Sequence, residues 1–367
     1  MTAETQAGTP CRITIEPVGR SFTAEAGETI LAAAIRAGVP LPYGCKDGAC
    51  GSCKCMKRSG EVRQGRHQGR ALSASEAEAG FVLTCCAHAL GDVVLASNRV
   101  GSADALPVRR MPARVQALSR SSHDVMRLHL QLPPGQALRF HAGQYIEFIL
   151  RDGTRRSYSM ANAPHTLDQP GACIELHIRH MPGGRFTDHV FGAMKEKDVL
   201  RIEGPYGSFY LREDRAKPVV LLASGTGFAP IKALLEHMKF AGTERPVSLY
   251  WGGRRPEDLY MDAWVRALLP AMPNLRYVPV LSDAAPSDNW EGRRGFVHRA
   301  VMEDFADLSG CQVYACGAPV VVESARRDYV AERGLPPDEF FADAFTSEVD
   351  KHQSSERIDH GQQRLAV

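Results

Sequence analysis

Six of the ten cysteines in this 367-residue chain fall between Cys45 and Cys86. Three of them, Cys45, Cys50 and Cys53 in YGCKDGACGSCKC, are spaced C-x4-C-x2-C, as the first three thiolate ligands of a plant-type 2Fe-2S cluster are, with a fourth cysteine well downstream. Three thiolates within nine residues meet one cluster only if the backbone wraps tightly around it. Gly44, Gly48 and Gly51 supply conformations that a Cβ forbids and let N–H groups approach the sulfurs; those hydrogen bonds then tune the potential. A zinc site is the competing chemistry, but it favours paired C-x2-C units, often with histidine, and this loop has one such unit. Downstream, Cys85 and Cys86 are adjacent, and neighbours on an extended segment point to opposite sides, so one of the two is expected to face the cluster.

A second group of residues suits a flat heterocycle carrying a pyrophosphate. In RRSYSMANAP, strand alternation puts Arg156 and Tyr158 on one face: a guanidinium can clamp a pyrophosphate while a phenol packs on the ring. Ser159 offers a hydroxyl to the ring's polar edge. Gly183 and Gly184 then open a helix whose N-terminal N–H groups, with the Thr187 hydroxyl, favour an anion. Alone, Arg-x-Tyr-Ser is equally well a packed, snorkelling surface pair. Its place ahead of a nucleotide-type segment is what points to a cofactor. That segment, ASGTGFAP, follows an apolar strand and opens a helix, so that Gly225, Thr226 and Gly227 can bring amides against a pyrophosphate. YACGAP sets Cys316, Gly317 and Pro319 at another strand's carboxyl end, on the rim where α/β sheets bind ligands; a buried structural thiol is the plainer reading of Cys316. In WGGRRPEDLYM, Arg254 and Arg255 would suit a 2′-phosphate and Glu257 and Asp258 a free ribose diol.

The elements that must position these residues divide the chain. Residues 11–100 read as a small α+β domain: an alternating strand Arg12-Ile13-Thr14-Ile15, a helix in GETILAAAIRAGV closing at Gly38 before Pro40, the cysteine loop, a strand near Val62 and a last strand in GDVVLAS. Residues 101–111 mix Ser, Gly, Ala, Pro and Arg as linkers do. From 112 to 213, six short runs of strand character and one helix, GRFTDHVFGAM, predict an antiparallel β-barrel. From 214 to 345, PVVLLAS, VSLYWG, LRYVPVL, CQVYACG and FFADAF alternate with helices, as in an α/β domain with a parallel sheet. The polar tail, 346–367, is expected to be poorly ordered.

Composition narrows the function. A net charge of +2 and a sequence pI of about 8.0, with no dense basic tract, give no reason for a nucleic-acid or membrane-surface partner. No apolar run is long enough to span a bilayer and no export signal opens the chain, so a cytoplasmic monomer is expected, its cysteines serving as ligands or buried apolar groups.

PYGCKDGACGSCKC with LTCCAH resembles the ferredoxin domain that begins phenol hydroxylase, soluble methane monooxygenase and many Rieske dioxygenase reductases. With the other motifs, the chain from Cys11 to Phe345 is similar to the ferredoxin–NADP reductase superfamily. The resemblance implies FAD, with Tyr158 on one flavin face and a C-terminal aromatic, best matched by Phe345 in FFADAF, near the other. It puts the Cys316–Pro319 turn beside the nicotinamide, favours NADH, and through its Leu-x-Cys pattern makes Cys85 the fourth ligand and Cys55 a bystander. Tyr158, Ser159, Cys316 and Phe345 are then the expected catalytic residues. The implied activity is hydride transfer from NADH to FAD, then single electrons through the cluster to a partner oxygenase of Rieske or di-iron type. RRSYSMANAP and the domain order also resemble CDP-6-deoxyhexulose dehydrase reductases, so a pyridoxamine-phosphate-dependent dehydrase is the alternative partner; a non-enzymatic redox sensor is a third reading. Lys46, Lys54, Lys57 and Arg58 around the ligand loop are expected to steer an acidic partner.

Overall fold

In the first sheet, β1 (Cys11–Glu16) turns Ile13 and Ile15 inward and Arg12 outward. It pairs antiparallel with β2 (Arg20–Ala24) and parallel with β7 (Val93–Ala96). The structure is a computed structural model, and it describes residues 9–100, 105–169, 171–213 and 216–346. Residues up to Leu106 form one compact unit and Pro107–Phe345 a second. Residues 101–104 of the segment read as linker, and all of the C-terminal tail after Thr346, lie outside the described residues.

In the first unit, α1 (Ile30–Arg36) packs Ile30, Leu31, Ala33 and Ala34 on the sheet. It is shorter than the sequence pattern predicts, because the Thr29 side chain accepts the Ala32 N–H and caps the helix there. Glu28 lies before the cap and pairs with Arg36 at 2.7 Å. The cysteine loop leads into β3 (Lys54–Ser59), and β4 (Val62–Gln64) follows. After α2 (Ala74–Glu78) come β5 (Phe81–Leu83) and β6 (Ala87–Ala89). The five-stranded sheet runs β2-β1-β7-β3-β5, and β4 pairs with β6. β2 was not legible in the sequence, since only Phe22 and Ala24 of its five residues are buried.

In the second unit, β8 (Arg109–Arg120), β9 (Val125–Gln131), β10 (Tyr145–Ile149), β11 (Arg155–Ser159), β12 (Cys173–Arg179) and β13 (Val199–Tyr206) form an antiparallel sheet ordered β11-β10-β13-β8-β9-β12. A bridge between Met160 and Leu176 joins its two edges into the expected barrel, with α3 (Arg185–Gly192) packed against the core through Phe186 and Val190. β8 starts inside the segment read as linker, because Met111, Ala113 and Val115 alternate into the barrel core and draw Arg109–Arg110 into the ladder with β13.

The remaining strands, β14 (Val219–Ser224), β15 (Val247–Gly253), β16 (Leu275–Leu281), β17 (Arg293–Arg294), β18 (Gln312–Gly317) and β19 (Phe340–Ala344), are all parallel, in the order β17-β16-β15-β14-β18-β19. α4 (Phe228–Phe240), α5 (Asp262–Leu268), α6 (Val297–Asp304) and α7 (Pro319–Glu332) cover its faces. β14 is buried through Val219–Ala223, as a central strand with both faces covered must be. The order places β14 beside β18, so the glycine turn after one strand and the Cys-Gly turn after the other share one rim.

Candidate functional site

The cysteine loop forms two sulfur pairs. The Cys45 N–H donates to the Cys50 Sγ and the Cys50 N–H to the Cys45 Sγ, both at 3.3 Å, and the Ser52 N–H reaches Cys50 at 3.4 Å. The Cys53 and Cys85 sulfurs lie 3.2 Å apart. Hydrogen bonding from Cys45, joined by Ser52, brings the Cys50 thiol down to about 6. Gly48 (φ +76°) and Gly51 (φ +73°) are in left-handed conformations; a Cβ on Gly48 would fall 2.8 Å from the Cys86 Sγ, and one on Gly51 3.1 Å from the Ala71 carbonyl. A four-thiol donor set, N–H groups aimed at sulfur and glycines that give up side-chain volume together fit a 2Fe-2S cluster.

Cys55 starts the alternation of β3 and is buried in the core, where desolvation pushes its thiol up to about 12, as befits a bystander. The expected geometry of the downstream pair needs correction. Residues 84–86 form a turn rather than an extended segment, and the Cys85 and Cys86 sulfurs are 3.5 Å apart, on the same side. The basic rim also differs from expectation: Lys54 pairs with Glu76 at 2.6 Å and Lys57 donates to the Gly60 carbonyl at 2.9 Å. Arg58, Arg63 and Arg66 are exposed and make no ion pair among the described residues.

In the barrel, Arg156 and Tyr158 share a face of β11, and both are half-buried. The Tyr158 ring rests on Phe148 and Phe186, with centroids 5.8 and 5.4 Å away. Burial pushes its phenol up, so it stays protonated. The Arg156 Nη1 donates to the Arg155 carbonyl at 2.8 Å. Gly183 (φ +82°) and Gly184 precede α3 as expected. The Thr187 hydroxyl, however, is turned back into the loop: it donates toward the Met181 and Gly184 carbonyls and accepts the Met181 N–H, while Asp188 accepts the Gly183 N–H. Thr187 is buried and shapes the turn, and an acidic side chain already occupies part of the helix N-terminus.

Ser159, at the end of β11, reaches the nucleotide domain: its Oγ lies 3.4 Å from the Asp343 carboxylate on β19. Asp343 also helps burial to hold the neighbouring Cys316 thiol well above its ordinary value. The Phe345 N–H donates to the Gly317 carbonyl at 2.8 Å, so Ser159, Cys316, Gly317, Asp343 and Phe345 meet at one junction. The two turns there interlock. A Cβ on Gly227 would fall 2.2 Å from the Cys316 carbonyl, and one on Gly317 2.4 Å from that of Ser224. Gly225 (φ +54°) opens its turn, and Pro319 occupies the first turn of α7, where no N–H is needed.

A cleft of about 620 Å³ opens along this rim, lined by Gly225, Thr226, Gly253, Arg254, Tyr260 and Phe296 among others. Motif reading missed two residues that line it and one at the junction. Arg179, held by Asp124 at 2.7 Å, brings its guanidinium beside the glycine turn, 3.9 Å from where a Gly225 Cβ would stand. Tyr260 lines the cleft and donates to the His177 Nδ1 at 2.8 Å. Asp343 is the third, and its signal was in plain view as the one acid in the apolar run FFADAF.

These features define a class, an oxidoreductase in which a cluster domain accompanies a flavin barrel and a nucleotide-binding domain. Residues 13–90 match the 2Fe-2S iron-sulfur cluster binding domain, 112–210 the oxidoreductase FAD-binding domain and 221–327 the oxidoreductase NAD-binding domain. The chain is 39% identical over 333 residues to the CDP-6-deoxy-L-threo-D-glycero-4-hexulose-3-dehydrase reductase of Yersinia pestis, covering 91% of this chain and 98% of that one. It is 36% identical over 331 residues to reductase component 2 of a terephthalate 1,2-dioxygenase from Comamonas sp., covering 89% and 95%. Among solved structures it is similar to the Amycolatopsis cytochrome P450 reductase GcoB, with a TM-score of 0.75, 33% identity and coverage of 92% and 99%. The chain belongs to the family of NADH-dependent flavin iron–sulfur reductases that carry an N-terminal plant-type 2Fe-2S domain. It is an electron-transfer reductase. Among the described residues no helix is long and apolar enough to cross a membrane.

Proposed function

We propose that the chain takes hydride from NADH and delivers single electrons to an oxygenase component, with Cys45, Cys50, Cys53 and Cys85 as cluster ligands. FAD, when bound, accepts an electron pair as hydride and releases it one electron at a time, which matches a two-electron donor to a one-electron cluster. Tyr158 would pack on one face of the flavin, and Phe345 would shield the other. Arg156 and the amides opened by Gly183 and Gly184 bind the FAD pyrophosphate, with Thr187 fixing the turn that presents those amides. Gly225, Thr226, Gly227 and Arg179 bind that of NADH, and Pro319 starts the helix beyond the Cys316–Gly317 turn.

The observation that carries this reading is the junction at Asp343, where the flavin-side Ser159 and the nicotinamide-side Cys316–Gly317 turn come together. Ser159 orients the polar edge of the ring. Buried and protonated, Cys316 supplies packing rather than a nucleophile. An oxygenase acceptor is supported by the dioxygenase and P450 partners named for two relatives. A sugar dehydrase is the second reading, supported by the 39% identity to the Yersinia reductase.

The test is steady-state transfer from NADH to a purified Rieske or di-iron oxygenase and, in parallel, to the pyridoxamine-phosphate-dependent dehydrase. Coupled turnover with an oxygenase alone is expected. Turnover with the dehydrase alone would transfer the assignment, and equal or better turnover with NADPH would overturn the choice of coenzyme.

A further inference from the structure

The cleft that takes a pyrophosphate has a carboxylate in its wall. Asp124, in the turn between β8 and β9 of the barrel, lines the cleft together with Arg179, and its Oδ2 accepts the Arg179 Nε–H at 2.7 Å. Asp258 of the nucleotide domain lines the same cleft and brings a second carboxylate oxygen within 4.8 Å of that of Asp124. A negative charge at this place repels a pyrophosphate unless it does more for a neighbouring cation than it costs by its own field. Asp124 is itself held firmly. The Ser122 hydroxyl donates to its Oδ1 at 3.1 Å, and the Asp124 N–H donates to the Ser122 Oγ at 3.4 Å. The Asp124 carbonyl accepts the His180 N–H at 2.7 Å, which ties the turn to the end of β12, where Val125 pairs with Arg179 in the ladder.

The carboxylate side chain is 17% exposed and the arginine side chain it holds 52%, so a fixed group restrains one that alone would sample many rotamers. A guanidinium is a planar fork of donors, and one bond at its edge sets the whole plane. With Nε engaged by Asp124, Nη1 remains toward the glycine turn, 3.9 Å from where a Gly225 Cβ would stand. Arg179 belongs to the barrel and Gly225 to the nucleotide domain, so the site is completed from both sides. We infer that Asp124 is a positioning residue for NADH: acting through Arg179, it holds a barrel guanidinium against the pyrophosphate site that the glycine turn builds. The arginine is thereby ordered before the coenzyme arrives, and binding no longer has to order it. The inference rests on the pyrophosphate role proposed above for Arg179. The carboxylate has two effects of opposite sign: as a fixed partner of Arg179 it tightens NADH binding, and as a bare charge it weakens it.

The experiment compares wild type, Asp124→Ala, Asp124→Asn, Arg179→Ala and the double alanine variant as full-length, FAD-loaded proteins. Stopped-flow reduction of the flavin over a range of NADH concentrations separates the dissociation constant from the limiting rate. ADP, which carries the pyrophosphate but no nicotinamide, is measured as a competitive inhibitor. Arg179→Ala is expected to weaken NADH and ADP about tenfold or more. Asp124→Ala is expected to weaken both about threefold or more, with a limiting rate within about twofold of native. The double variant is expected to bind no more weakly than Arg179→Ala, because both residues act through one contact. Asp124→Asn, whose amide oxygen can still accept the Arg179 N–H, is expected to fall between wild type and Asp124→Ala, and it decides the matter if the alanine variant fails to fold. Native or tighter binding in the Asp124 variants beside a weakened Arg179→Ala would overturn the inference alone. So would additive losses in the double variant, or a loss for NADH that ADP does not share. Native binding by Arg179→Ala would refute the pyrophosphate role of Arg179 and this inference with it, and no flavin reduction by NADH in the wild type would refute the functional reading itself.

Discussion

Ser159 and Asp343 come from strands 184 residues apart in sequence, yet their side chains meet at 3.4 Å, at the junction proposed above for hydride transfer. Removing the Ser159 hydroxyl deletes one polar contact to the ring edge and leaves Asp343 with one partner fewer. Ser159→Ala is expected to slow flavin reduction by NADH about fivefold or more, since one hydrogen bond is worth about 1 kcal/mol. Stopped-flow reduction of the flavin measures this directly, and a native rate would exclude the role. Phe345, at the same junction just past the end of β19, is partly buried against the nucleotide-domain core. Phe345→Ala is expected to change NADH affinity or flavin content while the cluster's absorption stays native. Native flavin content together with native NADH kinetics would leave Phe345 as a core aromatic only.

Between strand β12 of the barrel and helix α4 of the nucleotide domain runs a buried polar chain. The Lys232 Nζ donates to the Glu175 carboxylate at 2.9 Å, to Glu236 at 2.6 Å and to the Ala161 carbonyl at 3.0 Å. The His177 Nε2 donates to Glu175 at 2.9 Å, which leaves Nδ1 to accept the Tyr260 hydroxyl at the cleft wall. Lys232 is 3% exposed, so Lys232→Met leaves carboxylates buried without their cation and is expected to cost about 3–5 kcal/mol in chemical denaturation. The same chain sets a pH dependence. Burial pushes the Glu175 carboxyl up, but His177 and Lys232 outweigh it and hold the group well below the ordinary carboxylate range. Burial holds the His177 imidazole below its ordinary value against the pull of Glu175. Both groups therefore bind fewer protons folded than unfolded. Their contribution is complete above about pH 6.5, the unfolded histidine value, and is lost as pH falls through it and then below about 4.3 for the carboxylate. His177→Gln, which cannot titrate, is expected to flatten the fall in melting temperature between about pH 7 and 5. An unchanged slope would place the proton uptake elsewhere.

At the scale of the whole molecule, the proposed function has electrons enter at the cleft in the second unit and leave from the cysteine loop in the first. The partner must approach that loop, because tunnelling falls steeply with distance. Segment 63–70 is tied to it by two backbone bonds, from the Gly65 N–H to Cys86 and from the Gln68 N–H to Gly48. Its exposed Arg63 and Arg66 have no ion-pair partner among the described residues, unlike Lys54. With Arg58, they are cations placed to steer an acidic acceptor. Arg63→Glu with Arg66→Glu is expected to lower the coupled rate about tenfold or more at low ionic strength, with the difference shrinking as salt is added. Flavin reduction by NADH should stay native. Coupled rates unchanged at low salt would exclude steering by this segment.

The 2Fe-2S cysteine spacing, the Arg156–Tyr158 face and the two glycine turns were legible in the sequence because each is a local pattern. Spacing within a loop, alternation along a strand and a strand-to-helix turn are set by backbone geometry over a few residues. The alternation of β1 and the apolar run of β14 likewise announced a half-buried and a fully buried strand. What the sequence could not state was which distant residues complete the site. Asp343 matters because β19 pairs with β18, and Arg179 because barrel closure delivers the end of β12 to the glycine turn. The loss of Lys54 to Glu76 depends on where α2 packs, and the shared side of Cys85 and Cys86 on a turn where an extended segment was expected. Local rules determined the chemistry this chain can perform; long-range pairing, which carries no short-range signature, decided which side chains remain free to perform it.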